Sequence, residues 1–295
     1  MLAKYGTNMS DIAVVFPNKR AALFLNTYLA QLAGKPIWTP TYITISDLFR
    51  RHSDLKVADP IKSICDLHKV FVACTGIDET LDHFYGWGQL LLADFDDVDK
   101  NMVDAKLLFA NLSDIHELDD VSYLTDYQKA MIKKFFSNFS DDHNTELKKR
   151  FLQLWSHFYD IYVGFNQKLA EQAYEGALYR KVVNDEDIDF HYKKYLFIGF
   201  NMMQIVEQTL CDRLLKQGKA LFYWDYDKYY MEGQNEAGHY IRQYLKHYPN
   251  ELASYPQKDI YDNMSKNKDI TYISAPTENI QARYVNAWLK EHNRY

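Results

Sequence analysis

The clearest pattern of apolar and polar positions lies between Asp11 and Leu32, in the stretch DIAVVFPNKRAALFLNTYLAQL. A continuous apolar run over Ile12–Phe16 predicts a strand buried on both faces. A Pro-Asn pair breaks this run, and apolar residues then recur at helical spacing. The stretch therefore predicts a strand, a tight turn and a helix, whose apolar face would carry Ala21, Leu25, Tyr28, Leu29 and Leu32.

A second strand is predicted by the β-branched segment Trp38–Ile45, and Ser46 and Asp47 resemble a cap for the helix after it. From about Asp59 to about Asn184 the spacing of apolar residues predicts almost continuous helix, with Asp59 as a cap before Pro60. The helices predicted there include Pro60–Phe71, Leu81–Phe95, Tyr127–Phe139 and a long amphipathic helix from Thr145 to about Ala173.

Alternation of strands and helices returns after this helical block. Buried strands are predicted at Tyr195–Phe200 and Ala220–Trp224, and the helix Ile205–Lys216 between them stops at Gly218. The alternation predicts a parallel α/β sheet that a large all-helical segment interrupts. The remaining predicted elements are a helix at Glu236–His247, a last strand at Asp269–Ser274 and a helix that Thr277 caps and that runs through Leu289.

Composition narrows the class of protein. The 295 residues are 47% hydrophobic and 16% aromatic, which is ample for a buried core. The net charge is −6, so nucleic-acid binding would have to rest on a local basic surface. Three cysteines without CxxC spacing argue against a disulfide framework and a thiolate zinc site and fit a cytoplasmic protein. No window is apolar over the length that a transmembrane helix needs.

Lys19 and Arg20 are the best-placed candidates for binding an anion. They follow the first strand, at its predicted carboxyl end, where open α/β sheets bind ligands. Two cations and the free amide groups of a helix start suit a phosphate. An ordinary strand–helix turn with solvated basic residues explains the same local pattern, so the turn alone does not decide between them.

The segment VFPNKRAAL resembles motif Ia of UvrD-type superfamily 1 helicases, and more closely the amino-terminal region of AddB/RexB-type subunits of helicase–nucleases. Those proteins carry a PD-(D/E)XK nuclease domain far downstream. In UvrD-type helicases, the turn of motif Ia lies beside single-stranded DNA. Phe16, Asn18, Lys19, Ala21 and Ala22 match the motif, whereas Pro17 and Arg20 depart from it.

Three further segments resemble AddB-type proteins in the same order. They are TISDLF after the first helix, YLFIGFNMMQIVEQTL at the place of helicase motif III, and ITYISAPTENIQARYVNAWL at the opening of a second RecA-like domain. The resemblance implies a RecA-like α/β domain over residues 1–58 and 185–262 and a helical insertion over residues 59–184. Residues 268–295 would begin a second, truncated RecA-like domain, and the chain would be the amino-terminal part of a longer protein.

The motifs for ATP hydrolysis and nuclease chemistry are missing from this sequence. No GxxxxGK[ST] loop occurs. A PD-(D/E)XK site needs an Asp and, on a neighbouring strand, an acidic residue with a Lys two positions later, and the predicted strands show no such pattern. Asp225 and Asp227 are expected to be polar residues at a strand end. The acidic run Asp94–Asn101 lacks the glycine and closing glutamate of a calcium loop and is expected on a solvated helix face. We therefore expect no catalytic residue, no metal site and no cofactor in this segment.

The resemblance implies that this is the helicase-like, DNA-binding part of an exonuclease in DNA repair and recombination. Its partners would be single-stranded DNA, the downstream nuclease domain and a helicase subunit, with no membrane. The alternatives are a scaffold that docks a helicase partner without binding DNA and, less favoured, a nucleotide-binding enzyme. The expected DNA-binding residues are Phe16, Asn18, Lys19, Arg20, Trp38, Arg50 and Arg51.

Overall fold

The structure is a computed structural model that describes residues 1–114, 156–233, 235–254 and 258–292. The chain forms two compact units. The first comprises Met1–Asp225 and Tyr240–Ser254, and the second comprises Tyr226–His239 and Tyr255–Tyr295.

A parallel four-stranded sheet lies at the centre of the first unit. Its strands are β1 (Ile12–Phe16), β2 (Thr41–Thr44), β5 (Lys194–Ile198) and β6 (Ala220–Tyr223), in the order β2-β1-β5-β6. All three pairings are parallel, and every residue of the central strand β1 is buried. A strand covered on both faces needs apolar side chains at every position, which is what the run in β1 provides. The prediction of an α/β protein with a parallel sheet is confirmed.

Helix α2 (Arg20–Ala33) follows β1, but the apolar face predicted for it is only partly the buried one. Leu29 is buried, and Ala21 and Leu25 of the predicted face, together with Ala22, pack against the cluster around β1. Tyr28 and Leu32 lie outside this contact and are exposed. Small alanine side chains let this side of α2 approach the sheet closely. In that orientation of the helix, the larger side chains of Tyr28 and Leu32 face outward.

The helical block packs around its own aromatic core, which includes Phe71, Phe84, Phe95 and Phe165. The predicted helix Tyr127–Phe139 and the first part of the predicted helix from Thr145 lie outside the described residues. Among the described residues, the helices of this block are α4 (Pro60–Thr75), α5 (Leu81–Lys100), α6 (Ala105–Asp114), α7 (Phe158–Leu169) and α8 (Glu175–Asn184).

The long helix predicted to reach Ala173 ends earlier. Helix α7 stops at Leu169, and Ala170 has a φ of 54°. Gln172–Ala173 then forms the short strand β4, which pairs in parallel with β3 (Lys56–Val57). A two-strand pairing between distant segments overrides the local helical pattern here.

Two of the helix starts show how local chemistry sets the boundaries. Asp59 Oδ1 accepts a hydrogen bond from the amide of Lys62 at 2.9 Å, as its position before Pro60 predicts. Helix α3 (Ile45–Arg51) is capped by Thr44, not by Ser46 or Asp47. Asp47 instead completes a capping box with Thr44, because it occupies the third helical position.

The rest of the first unit contains α1 (Leu2–Tyr5), α9 (Ile205–Lys216), a 3-10 turn at Glu251–Ser254 and α11 (His239–Tyr244) apart from its first residue. The second unit contains α10 (Lys228–Met231), α12 (Glu278–Glu291) and 3-10 turns at Glu236–Gly238 and Lys258–Tyr261.

The strand predicted over Asp269–Ser274 does not form. The segment pairs with no described strand, and Ile270 and Tyr272 are exposed. A β-rich sequence becomes a strand only where a neighbour takes its backbone hydrogen bonds. The cap predicted for the following helix is correct, since Thr277 Oγ1 accepts from the amide of Ile280. Within the described residues, no helix combines the length and apolar character that crossing a membrane requires.

Candidate nucleic-acid interface

The carboxyl edge of the parallel sheet gathers part of the predicted site. Strands β1 and β2 are neighbours with parallel register, so the turn after Phe16 and the start of α3 after Thr44 lie at the same edge. The first turn contributes Asn18, Lys19 and Arg20, and α3 contributes Arg50 and Arg51. Loops at this edge of an α/β sheet are the ones that its architecture leaves open to ligands.

The turn after β1 is shaped by Asn18. Its Oδ1 accepts a hydrogen bond from the amide of Arg20 at 3.1 Å, which fixes the start of α2. Lys19 occupies the N-cap position, where its side chain offers no acceptor, and the first turn of α2 contains no acidic residue. The side chains of Lys19 and Arg20 are exposed. The amide groups and the two cations together make this turn electropositive.

The electrostatic surroundings of Asp47 show that Lys19 and Arg51 lie near the same carboxylate. Its pKa is lowered chiefly by the hydrogen bond from Thr44, and the nearby cations Lys19 and Arg51 lower it further. The amide of Asp47 donates to Thr44 Oγ1 at 3.0 Å, and the amide of Thr44 donates to Asp47 Oδ2 at 3.2 Å. Residues from two different strand ends therefore share one electrostatic neighbourhood. The carboxylate of Asp47 offsets part of the positive charge of Lys19 and Arg51.

Arg50 and Arg51 differ in whether their guanidinium groups already form an ion pair. The guanidinium of Arg50 donates to the carboxylate of Glu175 in a short ion pair, and Glu175 also lies 3.8 Å from Lys100. Arg51 is exposed and makes no ion pair within 4 Å to a described residue. A phosphate would have to compete with Glu175 for Arg50, whereas Arg51 is the more available cation.

Neither aromatic residue of the predicted site contributes to the exposed surface of this edge. Phe16 is 3% exposed and its ring packs 6.5 Å from that of Tyr42, so it offers no face for a base to stack on. Trp38 is 72% exposed but lies before β2, at the opposite end of the sheet. Its amide donates to Thr7 O at 2.8 Å, beside the start of β1. Phe16 is therefore withdrawn from the proposed surface, and Trp38 is separated from Lys19.

Asp225 and Asp227 differ in their exposure and in their hydrogen bonds. Asp225 is exposed. Burial alone would raise the pKa of Asp227, but hydrogen bonds from the amides of Met264, Tyr229 and Asn263 lower it below its usual range. The bonds from Met264 and Asn263 measure 2.8 and 2.7 Å. Asp227 thus organises backbone within the second unit. The part of the chain that the structure describes holds no cluster of three or more His, Cys, Asp or Glu side chains arranged for a metal ion.

The acidic run in α5 contains a buried residue that the sequence assigned to a solvated face. Asp99 is 1% exposed and accepts hydrogen bonds from Tyr162 Oη at 2.7 Å and Tyr174 Oη at 2.5 Å. Arg180 Nη1 donates to it at 3.1 Å. The spacing of apolar residues in α5 could not reveal this, because all three partners lie more than 60 positions away.

A cavity of about 340 Å³ opens in the helical block, and its lining includes Glu175, the ion-pair partner of Arg50. Most of its lining is apolar, with Asp96 and Glu175 at its polar part, and those carboxylates already pair with Lys100. The exposed side chains of Lys19, Arg20 and Arg51 suit an extended polyanion better than a small molecule, which would need an enclosing pocket.

Comparisons with protein-family models, with curated proteins and with solved structures found no match.

Proposed function

We propose that this chain is a catalytically silent, helicase-like module that binds single-stranded DNA for a nuclease in DNA repair and recombination. The observation that carries the proposal is the exposed cationic group of Lys19, Arg20 and Arg51 at the carboxyl edge of a parallel sheet. Cations held close together by a strand-end turn and a neighbouring helix suit a phosphate backbone, which confers affinity without sequence preference.

The finer features of this proposal rest on the resemblance to AddB-type proteins. We propose a RecA-like arrangement for the sheet, a downstream nuclease domain in the longer protein, and a helicase subunit as a further partner. A cytoplasmic location goes with these roles, and the free thiols of Cys65, Cys74 and Cys211 agree with a reducing compartment.

The test is fluorescence anisotropy of a labelled single-stranded oligonucleotide across a salt series, with the double variant Lys19→Ala/Arg20→Ala. Each phosphate contact to a single strand contributes about −0.7 to the slope of log K against log salt. Loss of two contacts should flatten the slope by about 1.4 and weaken binding at low salt roughly tenfold, at up to about 1 kcal/mol per exposed charge pair.

A matched control removes two exposed lysines from helices elsewhere in the first unit, Lys168→Ala/Lys216→Ala. Both double variants change the net charge equally, so a difference between them reports position. Equal affinity and equal slope for the two variants would refute the assignment of Lys19 and Arg20.

The alternative function is a scaffold that docks a helicase partner without binding DNA. The exposed side chains of Tyr28 and Leu32, one turn apart on α2, favour it, because adjoining exposed apolar residues often mark protein contacts. A stable complex with the helicase subunit, together with no oligonucleotide binding at low salt, would select this function.

A further inference from the structure

The outer face of α2 carries a row of exposed side chains that the sheet does not use. Arg20, Phe24, Tyr28 and Leu32 follow one another at intervals of four residues, so they form one ridge along the helix. Phe24 and Tyr28 are each 61% exposed, and Leu32 is 76% exposed. Within α2, which the structure describes in full, Leu29 is the one buried residue.

This face belongs to the least acidic part of the chain. The 35 residues from Ile12 to Ser46 contain no Asp or Glu, although the average frequency of 40 acidic residues in 295 would place about five there. The same stretch holds three cations: Lys19 and Arg20 at the start of α2, and Lys35 just after its end. In a protein of net charge −6, the ridge is therefore flanked by positive charge at both ends.

Trp38 lies near the far end of this ridge. Helix α2 starts at the carboxyl edge and the chain returns to the opposite edge, where β2 begins after Trp38. Hydrogen bonds of Trp38 to Thr7 O and from the amide of Met9 hold its backbone, at 2.8 and 2.9 Å, while its indole is exposed. A large ring on a fixed backbone loses little conformational entropy when a ligand stacks on it.

We propose that single-stranded nucleic acid runs along α2, with its phosphates near Arg20 and Lys35 and its bases on Phe24, Tyr28 and Trp38. Successive bases stacked on aromatic side chains within a basic track are the chemistry of single-strand binding. The twelve residue steps from Arg20 to Leu32 span about 18 Å. At ~3.4 Å per stacked nucleotide this is a track of roughly five nucleotides.

The pattern of the face favours this occupant over a partner helix. Thr27 and Gln31, together with Arg20, separate Leu23 from the ridge of Phe24 and Tyr28. Helix packing needs an apolar face at least about 100° wide, whereas Phe24, Tyr28 and Leu32 form a single row that polar side chains border. A nucleic acid needs ring faces beside polar and cationic groups. The inference rests on the proposed function and shares Arg20 with it, but Phe24, Tyr28, Lys35 and Trp38 lie outside the carboxyl edge.

The experiment compares an oligo-dT of twenty nucleotides with an abasic phosphodiester of equal length, both fluorescently labelled. For Phe24→Ala/Tyr28→Ala we expect at least a tenfold loss of affinity for oligo-dT with the salt slope unchanged, because stacking releases no counterions. Binding of the abasic strand should not change. The control Tyr229→Ala/Tyr272→Ala removes two exposed aromatic rings elsewhere, and Phe24→Tyr/Tyr28→Phe should bind as the unaltered chain does.

Each other outcome refutes the inference in a recognisable way. If Phe24→Ala/Tyr28→Ala binds oligo-dT normally while Lys19→Ala/Arg20→Ala does not, the α2 track is wrong and the proposed function stands. If the unaltered chain binds neither strand at low salt, both are wrong. If the aromatic variant only converts a dimer into a monomer by light scattering, the face joins two copies of the chain.

Discussion

Replacing Asp99 by Asn tests whether a buried ion pair holds the helical block together. Asp99 lies on α5, whereas its partners Tyr162, Tyr174 and Arg180 lie on α7, beside β4 and on α8. The asparagine side chain has nearly the same shape but no charge. Its NH₂ group would meet hydroxyl and guanidinium donors, so at least one of these donors loses its acceptor.

The expected cost follows from burial. Removing one partner of a buried ion pair costs about 3–5 kcal/mol, because the other charge stays without compensation. Arg180 is 26% exposed and keeps its hydrogen bond to Val103 O at 2.7 Å, so we expect the lower value, about 3 kcal/mol. For a unit of this size that corresponds to a decrease of about 6–12 °C in the melting temperature.

The assay is thermal unfolding followed by near-ultraviolet circular dichroism, because the partners include two tyrosines. Asp97→Asn is the matched control, since Asp97 lies on the same helix and is exposed. The double variant Asp99→Asn/Arg180→Met should lose less stability than the sum of the two single changes. A melting temperature for Asp99→Asn within 2 °C of that of Asp97→Asn would contradict the buried network (about 1 kcal/mol or less).

Two further stability predictions follow from the helix contacts. Gly176→Ala should cost about 1–3 kcal/mol in denaturant unfolding, because its Cβ would lie 2.4 Å from Asp96 O, whereas Gly86→Ala, with open space around it, should stabilise by up to about 1 kcal/mol; equal effects would contradict the close packing of α8 on α5. Burial raises the pKa of Glu207, so its carboxyl group stays protonated to a higher pH in the folded state than in the unfolded state. The free energy of unfolding should therefore fall as pH rises from about 4.5 through the raised pKa. Glu207→Gln keeps an acceptor for the amide of Gln204 and should remove that fall; an unchanged pH profile of the melting temperature would refute it.

Much of the architecture could be predicted from the sequence because local interactions encode it. The apolar run of β1 requires cover on both faces, and Asp59 and Thr277 cap helices through bonds that span three residues. Strands β5 and β6 and helix α9 have nearly their predicted bounds, with Gly218 in a left-handed conformation just after α9. Such signals need no distant partner.

The candidate site was predictable only in part. The turn at Lys19 was found from the strand that precedes it, and α3 brings Arg51 to the same edge because β1 and β2 pair in parallel. The burial of Phe16 and the position of Trp38 at the other end of the sheet depend on register and direction, which residue types do not specify.

By itself, the sequence determined the α/β class, the helices α4 and α5, and the caps Asp59 and Thr277, since each depends on periodicity or on bonds between near neighbours. The tertiary structure alone decided that Asp99 is buried, that Tyr28 faces outward and that Asp269–Ser274 is not a strand. Each of these depends on which distant segment supplies a hydrogen-bond donor, a packing surface or a neighbouring strand. Burial and pairing are properties of contacts between segments, whereas propensity is a property of one segment.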